Sequence, residues 1–231
     1  MFFGESEKGM SNNYWNSVKE YIGNPSLKLG PQFAYQAFYT PRHLVFVFSR
    51  YKFAAKLLSS KSKGRVLELG CGEGIGSLIL AEEGHCIVGV DSDKDAIDYA
   101  RKNLENHSKF DLSYFHGDIT NMKIGLFDAA VSLDVIEHIP REDEEKFVRS
   151  IYEHLNDDGF CLVGTPNITA HKYASEMSKR GHINLYDAER LRDLLRKFFK
   201  NVFIFGMNDE VVHTGFHPMC HYIVALACGK Y

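Results

Sequence analysis

The chain has no apolar run approaching the roughly 20 residues that a membrane-spanning helix requires. Its first residues, MFFGESEKGM, lack the charged-then-apolar order of a secretory leader, so a cytoplasmic location is expected. It also lacks a dominant charge. With 27 Lys and Arg against 30 Asp and Glu, the formal net charge is −3, which gives no electrostatic reason to expect nucleic acid or an anionic membrane as a partner. No C-x-x-C pair occurs among the five cysteines, Cys71, Cys86, Cys161, Cys220 and Cys228, and their odd number and wide spacing point to buried free thiols. Internal repeats and low-complexity segments are absent as well. The 45% hydrophobic and 25% charged residues that are present suit a single globular unit of 231 residues.

Between residues 64 and 165, short β-branched runs alternate with amphipathic stretches, the pattern of an α/β fold with a parallel sheet covered by helices. Strands are expected at 65–70, 86–90, 112–117, 127–133 and 160–165, and helices at 74–84, 93–106, 142–155 and 187–199. Past residue 201 the alternation stops: NVFIFGMN and CHYIVALACG read as two consecutive strands with no helix between them, an antiparallel pair closing the sheet. Residues 1–63, aromatic and broken by Pro25, Pro31 and Pro41, read as an N-terminal helical cap over one sheet edge. About 60 residues bury little alone, so 1–63 and 64–231 are expected to form one compact unit.

The segment VLELGCGEGIG at 66–76 runs from strand to glycine-rich turn to helix, offering backbone N–H groups and a positive helix end to a ligand. Dinucleotide sites want G-x-G-x-x-G, but Ile75 stands where the third glycine belongs, and no Gly-Lys-Ser/Thr follows for a P-loop. A nicotinamide oxidoreductase is disfavoured accordingly, and a purely structural tight turn stays open. The next strand ends at Asp91, placed to accept hydrogen bonds from ribose hydroxyls; helix capping, which Ser92 or Asp93 also offers, is the alternative. Asp118 in HGDIT lies at the third strand's end, where it can meet an adenine amino group beside the N–H of Ile119, or form an Asx-turn. Acids at or near three successive strand ends, Glu68, Asp91 and Asp118, point to a nucleoside-containing ligand.

VLELGCGEG, VGVDSD, GDI and FDAAVSLDVIEHIP, in this order and spacing, resemble the class I S-adenosylmethionine-dependent methyltransferases. DVIEHIP, GTPN and HINLYDAERLRDLL are similar to small-molecule O-methyltransferases of the ubiquinone-biosynthesis type. The resemblance implies a Rossmann-like, seven-stranded, mostly parallel sheet with helices on both faces and an antiparallel last strand. It implies S-adenosylmethionine as cofactor and S-adenosylhomocysteine as product. Glu68, Gly70, Cys71 and Gly72 would line the methionine end, Asp91 and Ser92 the ribose, Asp118 and Ile119 the adenine, and Leu133 and Asp134 the sulfonium. Arg42 or Arg50 would meet the cofactor carboxylate.

Methyl transfer from a sulfonium is an in-line displacement governed by positioning, and a base suffices if the acceptor is a hydroxyl. His138 is the candidate base, with Glu137 to orient it; a structural role in the loop is the alternative. Acceptor contacts are expected from Tyr39, His43, His182, Asn208, His213 and His221. Tyr39 and His43 can equally belong to aromatic packing, and His182 can merely solvate its loop. His213, His217 and His221 recur every four residues, but Gly215 and Pro218 break the helix that would converge them, so no metal is expected. The expected acceptor is a polar small molecule, methylated on oxygen more readily than on nitrogen, by a monomer or homodimer. A catalytically silent cofactor-binding module is the alternative from another class.

Overall fold

The computed structural model describes residues 6–23, 26–59, 63–106 and 109–231. Three helices come first, α1 (Ser6–Ile22), α2 (Pro31–Tyr39) and α3 (Pro41–Leu58). Pro31 and Pro41 each open a helix, where a missing N–H costs no intrahelical bond. Strands and helices then alternate as β1 (Arg65–Leu69), α4 (Ile75–Ala81), β2 (Cys86–Asp91), α5 (Lys94–Leu104), β3 (Leu112–His116), β4 (Phe127–Leu133), α6 (Glu144–Glu153) and β5 (Leu155–Pro166). Two helices, α7 (Glu176–Gly181) and α8 (Ala188–Arg196), precede β6 (Phe199–Asn208), β7 (Val211–His213) and β8 (Tyr222–Lys230).

The sheet order is β3-β2-β1-β4-β5-β8-β6-β7. β1 runs parallel between β2 and β4, with Leu67 opposite Val88 and Ala130. β8 inserts antiparallel between β5 and β6, with Leu226 opposite both Leu162 and Phe203, as the change of pattern near residue 201 indicates. Eight strands stand where seven were expected. The extra one, β7, is the return leg of a hairpin in which Asp209 turns the chain at φ 52°. Three residues are too few to carry a periodic signal, so only pairing with β6 reveals it.

Side chains alternate across each strand. Val66 joins the face covered by α3, α4 and α5, whereas Leu67 and Leu69 join the face covered by α6 and α8. Burial on both faces explains why the central strands read as nearly continuous apolar runs. The second half of α3 belongs to this helical layer, because Tyr51, Ala54, Ala55 and Leu58 are buried in it. Gly76 makes that possible: a Cβ there would lie 2.1 Å from Tyr51 Cζ. All five cysteines are unpaired, and Cys71, Cys161 and Cys220 are buried. No described helix is long and apolar enough to cross a membrane.

Successive connections leave β1 and β4 in opposite directions across the sheet, and such a reversal opens a crevice at the carboxyl ends of the two strands. The glycine loop follows β1, and Asp134 follows β4.

Candidate active site

At this crevice a cavity of about 750 Å³ joins the glycine loop to the segments after β4 and β5. Its lining includes Gly70, Cys71 and Gly72 of the loop, Leu133 and Asp134 after β4, and a group of Glu137, His138, His171 and His182 away from the loop in sequence. Gly70 and Gly72 adopt φ of +74° and +52°, which glycine tolerates without strain. A Cβ on Gly70 would collide with Val135 Cγ2 at 2.2 Å, whereas one on Gly72 meets only Gln32 Oε1 at 3.8 Å. The loop backbone at Gly72 is therefore open to a ligand.

Asp91 supports this loop from beneath. Its Oδ2 accepts from the Gly72 N–H and its Oδ1 from the Asp93 N–H, both at 2.8 Å. The cap of α5 is Asp93, which accepts from the Asp95 and Ala96 N–H groups, so capping is not what holds Asp91 in place. Ser92 takes no part in the cavity wall; its carbonyl meets His116 Nε2 at 3.2 Å. Asp118 also stands off the wall. It caps its own turn, accepting from the Thr120 N–H and hydroxyl and from Asn121 Nδ2, while Ile119 is buried behind it.

Glu68 lies under the loop, 2% exposed, and accepts from the Ser77 hydroxyl at 2.5 Å. Burial pushes its carboxyl up to about 7, against the lowering effect of the Ser77 and Tyr51 hydroxyls. Burial likewise pushes the Cys71 thiol well up, which rules out a thiolate nucleophile near neutral pH.

Of the two candidate arginines, Arg50 is the one in the cavity wall. Its Nη1 donates to both oxygens of Asp134 at 2.7 Å, and its guanidinium lies 3.8 Å over the Tyr222 ring. Asp134 holds the bend after β4 at φ 58°, uncommon for a residue with a side chain. Glu73, the acid within the glycine loop, turns away from the cavity. Its buried carboxylate accepts from the Gln32 and Phe33 N–H groups at 2.8 and 3.1 Å, fastening the first turn of α2 to the loop. Nothing in the GCGEG motif distinguishes this role from ligand contact, because the partner amides are 40 residues away in sequence and donate through backbone.

In this last group, Glu137 is wholly buried. Its Oε2 accepts from the Thr165 hydroxyl at 3.0 Å, and its Oε1 has no partner. Burial, then the nearby charge of Asp134, pushes this carboxyl well above the usual range. His138 Nδ1 lies 2.9 Å from the Gly181 carbonyl, so Nδ1 carries the proton and Nε2 keeps its lone pair. The His182 ring stands edge-on to the His138 ring, with centroids 5.1 Å apart. Burial first, and then His138, lowers the His182 pKa.

The remaining expected acceptor contacts divide. His43 and His221 line the cavity. Tyr39 is exposed and packs on Tyr35 and Phe38. Asn208 and His213 are turned to their own loop: Asn208 bridges the Met219 carbonyl and the His221 N–H, and His213 meets Cys220 Sγ at 3.6 Å and accepts from the Gly215 N–H. Sequence reading overlooked Gln36 and His171, which line the cavity with Oε1 and Nδ1 unpartnered.

A family model described as a methyltransferase domain matches residues 35–199. The chain is 31% identical over 123 residues to a probable S-adenosylmethionine-dependent methyltransferase of Mycolicibacterium smegmatis, covering 52% of this chain and 45% of that protein. It is 29% identical over 117 residues to the ubiquinone biosynthesis O-methyltransferase of Rickettsia typhi, covering 48% and 45%. The matched part thus spans under half the length of these two relatives. Among solved structures, the plantazolicin methyltransferase BpumL, in complex with a monoazolic desmethyl analogue and S-adenosylhomocysteine, superposes with a TM-score of 0.63 at 15% identity, over 87% of this chain and 89% of that one. The glycine loop open at Gly72 and the carboxylate fixed at Asp91 fit the cofactor of this fold. With the match extending over well more than half its residues, the chain belongs to the methyltransferase-domain family.

Proposed function

We propose that the protein transfers a methyl group to an oxygen of a polar small molecule enclosed in the cavity. The observation that carries this reading is the continuity of one cavity from the Gly70–Gly72 loop to Glu137, His138 and His182. The bound cofactor supplies an electrophilic methyl on a sulfonium leaving group. The chain must hold the acceptor in line and handle its proton.

Cofactor contacts fall to Gly70, Cys71 and Gly72 through their backbone, and to Asp91 at the ribose. Leu133 and Asp134 flank the reacting centre, with Arg50 keeping the Asp134 carboxylate fixed. His138 Nε2 is the basic atom at the acceptor end, because Nδ1–H is committed to Gly181. Gln36 Oε1 and His171 Nδ1, buried without partners, are positioned to receive polar groups of an acceptor, and an apolar acceptor would leave their desolvation uncompensated. Oxygen is favoured over nitrogen because a hydroxyl must lose its proton during transfer, and a histidine pair suits that need.

Calorimetric titration with S-adenosylmethionine and S-adenosylhomocysteine, followed by a screen of hydroxylated and amino metabolites with mass-spectrometric detection, tests the reading. Methylated hydroxyl products support it. Exclusive methylation of amines would overturn the oxygen assignment, and tight cofactor binding with no turnover on any acceptor would favour a silent binding module.

A further inference from the structure

We propose that Glu144 is a positioning residue for methyl transfer: with Tyr186, Asn184 and Arg190 it buckles the segment 182–187 against the cavity and so places His182. None of these four residues lines the cavity, whereas His182 and Leu185 of the same segment do. The four converge on one carboxylate oxygen. Glu144 Oε2 accepts from the Tyr186 hydroxyl at 2.7 Å, from Asn184 Nδ2 at 3.0 Å and from Arg190 Nη2. Arg190 extends the network: Nη2 also donates to Asn184 Oδ1 at 2.6 Å, Nη1 donates to the Leu185 carbonyl, and the guanidinium lies 4.0 Å over the Tyr186 ring.

Burial separates this cluster from an ordinary surface ion pair. Tyr186 is 0% exposed and Asn184 3%, while the Arg190 and Glu144 side chains are 24% and 15% exposed. Removing one member leaves desolvated partners behind, which makes such a network costly to interrupt. The segment it grips is irregular, running from the end of α7 at Gly181 to the Asp187 cap of α8. Backbone bonds tie that segment to two others that line the cavity. The Asn184 N–H donates to the Glu137 carbonyl at 3.0 Å, and the Tyr186 carbonyl accepts from the Ile168 N–H at 2.8 Å, beside Asn167. His182 is thus held from both sides, by its own N–H on the Ser178 carbonyl at 2.8 Å and by the Glu144 buckle.

Asn184, Tyr186 and Arg190 all belong to the HINLYDAERLRDLL stretch, and Glu144, which opens α6, stands 40 positions before Asn184. Two details argue for positioning over plain stability. A partly buried ion pair contributes little net stability compared with apolar residues of the same volume, but its directional bonds select one arrangement of a loop. The bonds here also fall on the cavity-lining residue Leu185 and on the peptide next but one to His182, through Asn184. The inference rests on the methyl-transfer reading for its consequence. An acceptor beside His138 is oriented by the His182 ring, and a displacement of about 1 Å in an orienting group costs up to roughly 10²-fold in rate.

The test compares the full chain with Glu144→Gln and with Tyr186→Phe, which keeps the Asn184 and Arg190 donors and decides the matter if the first variant does not fold. Hydrogen–deuterium exchange across 182–187, and the rate of His182 modification by diethyl pyrocarbonate followed by mass spectrometry, report the buckle without any acceptor. Glu144→Gln should speed both by about fivefold or more, and Tyr186→Phe by less. On an acceptor found in the metabolite screen, Glu144→Gln should lower kcat/KM about tenfold, with S-adenosylhomocysteine affinity within about twofold of wild type. That loss should vanish when His182 is already replaced by Ala, because the carboxylate acts through that ring. Unchanged exchange and modification rates overturn the buckle. An equal loss with and without His182, or a matching fall in cofactor affinity, overturns positioning and leaves a structural role. If wild type methylates no acceptor, the methyl-transfer reading fails while the exchange and modification rates still decide the buckle, so the two failures are distinguishable.

Discussion

The two ends of the cavity are built on different principles. The glycine-loop end comes from the termini of adjacent strands, β1 and β2, and its partners are close in the sheet: Asp91 reaches the Gly72 N–H directly. The acceptor end comes from irregular segments, with Glu137 and His138 in a short turn after β4 and His182 after α7. Each end holds a buried carboxylate. Each accepts from one hydroxyl, Ser77 for Glu68 and Thr165 for Glu137, and keeps its other oxygen unpartnered, but only Glu137 lines the cavity. The carboxyl sealed beneath the loop is out of a ligand's reach, while the one in the cavity wall can meet a ligand.

The contrast breaks most sharply at His138. His138→Ala should lower turnover by roughly 10²- to 10⁴-fold, the range for loss of acid–base function, with cofactor affinity nearly intact in calorimetry. Unchanged turnover would reduce His138 to a prop for Gly181.

The pH dependence of stability probes the other carboxylate. Glu68 in the folded chain holds its proton up to about 7, against 4.5 as the ordinary value. Between these values the unfolded state binds fewer protons, so stability present below pH 4.5 is lost progressively as pH rises towards 7 and is flat above. The full span is on the order of 3 kcal/mol at 1.36 kcal/mol per pKa unit. Glu68→Gln should remove that decline in denaturant titrations at pH 5 and pH 8 while leaving the Ser77 bond possible. A decline of the same size in the variant would assign it to another group.

Asp91→Ala should weaken cofactor binding about tenfold or more, because a charge-assisted acceptor contributes roughly 1.5–3 kcal/mol. Equal affinity in calorimetry would show that the Gly72 loop holds its shape and its ligand without that carboxylate. Glu73→Ala leaves the Gln32 and Phe33 N–H groups without an acceptor, and a cost of about 1–3 kcal/mol follows, with a raised KM for the cofactor as α2 loosens. A stability loss with KM unchanged would separate α2 from the cofactor site. The smallest effect is expected at Asn208, whose replacement by Ala should cost about 1 kcal/mol in thermal unfolding and leave both KM values alone, since its amide serves only its own loop.

Much of the fold is legible because its signals are local. The apolar runs at 65–69 and 127–133 read as strands, and the 3.6-residue spacing of Ile97, Ala100 and Leu104 reads as a helix, since burial on a sheet face selects those patterns directly. Asp118 shows the limit of local reading. Like Asp91, it stands at a strand end as a ligand-binding acid would while both of its oxygens accept from nearby donors, here Thr120 and Asn121, two and three residues on. Residue type and spacing do not distinguish an acid facing a cavity from one closing its own turn.

What the sequence determined by itself is the strand-loop-helix at 66–76, the alternation that builds the parallel sheet, the closing antiparallel pair and the kinship that names the cofactor. These rest on contacts between near neighbours and on side-chain periodicity. Only the tertiary structure decided that Arg50 and not Arg42 enters the cavity, that Glu73 faces α2, and that His182 meets Glu137 and His138. Those outcomes depend on backbone hydrogen bonds between distant segments, such as Asn184 to Glu137. A backbone donor or acceptor is present at nearly every residue, so its choice of partner leaves no mark in the order of side chains.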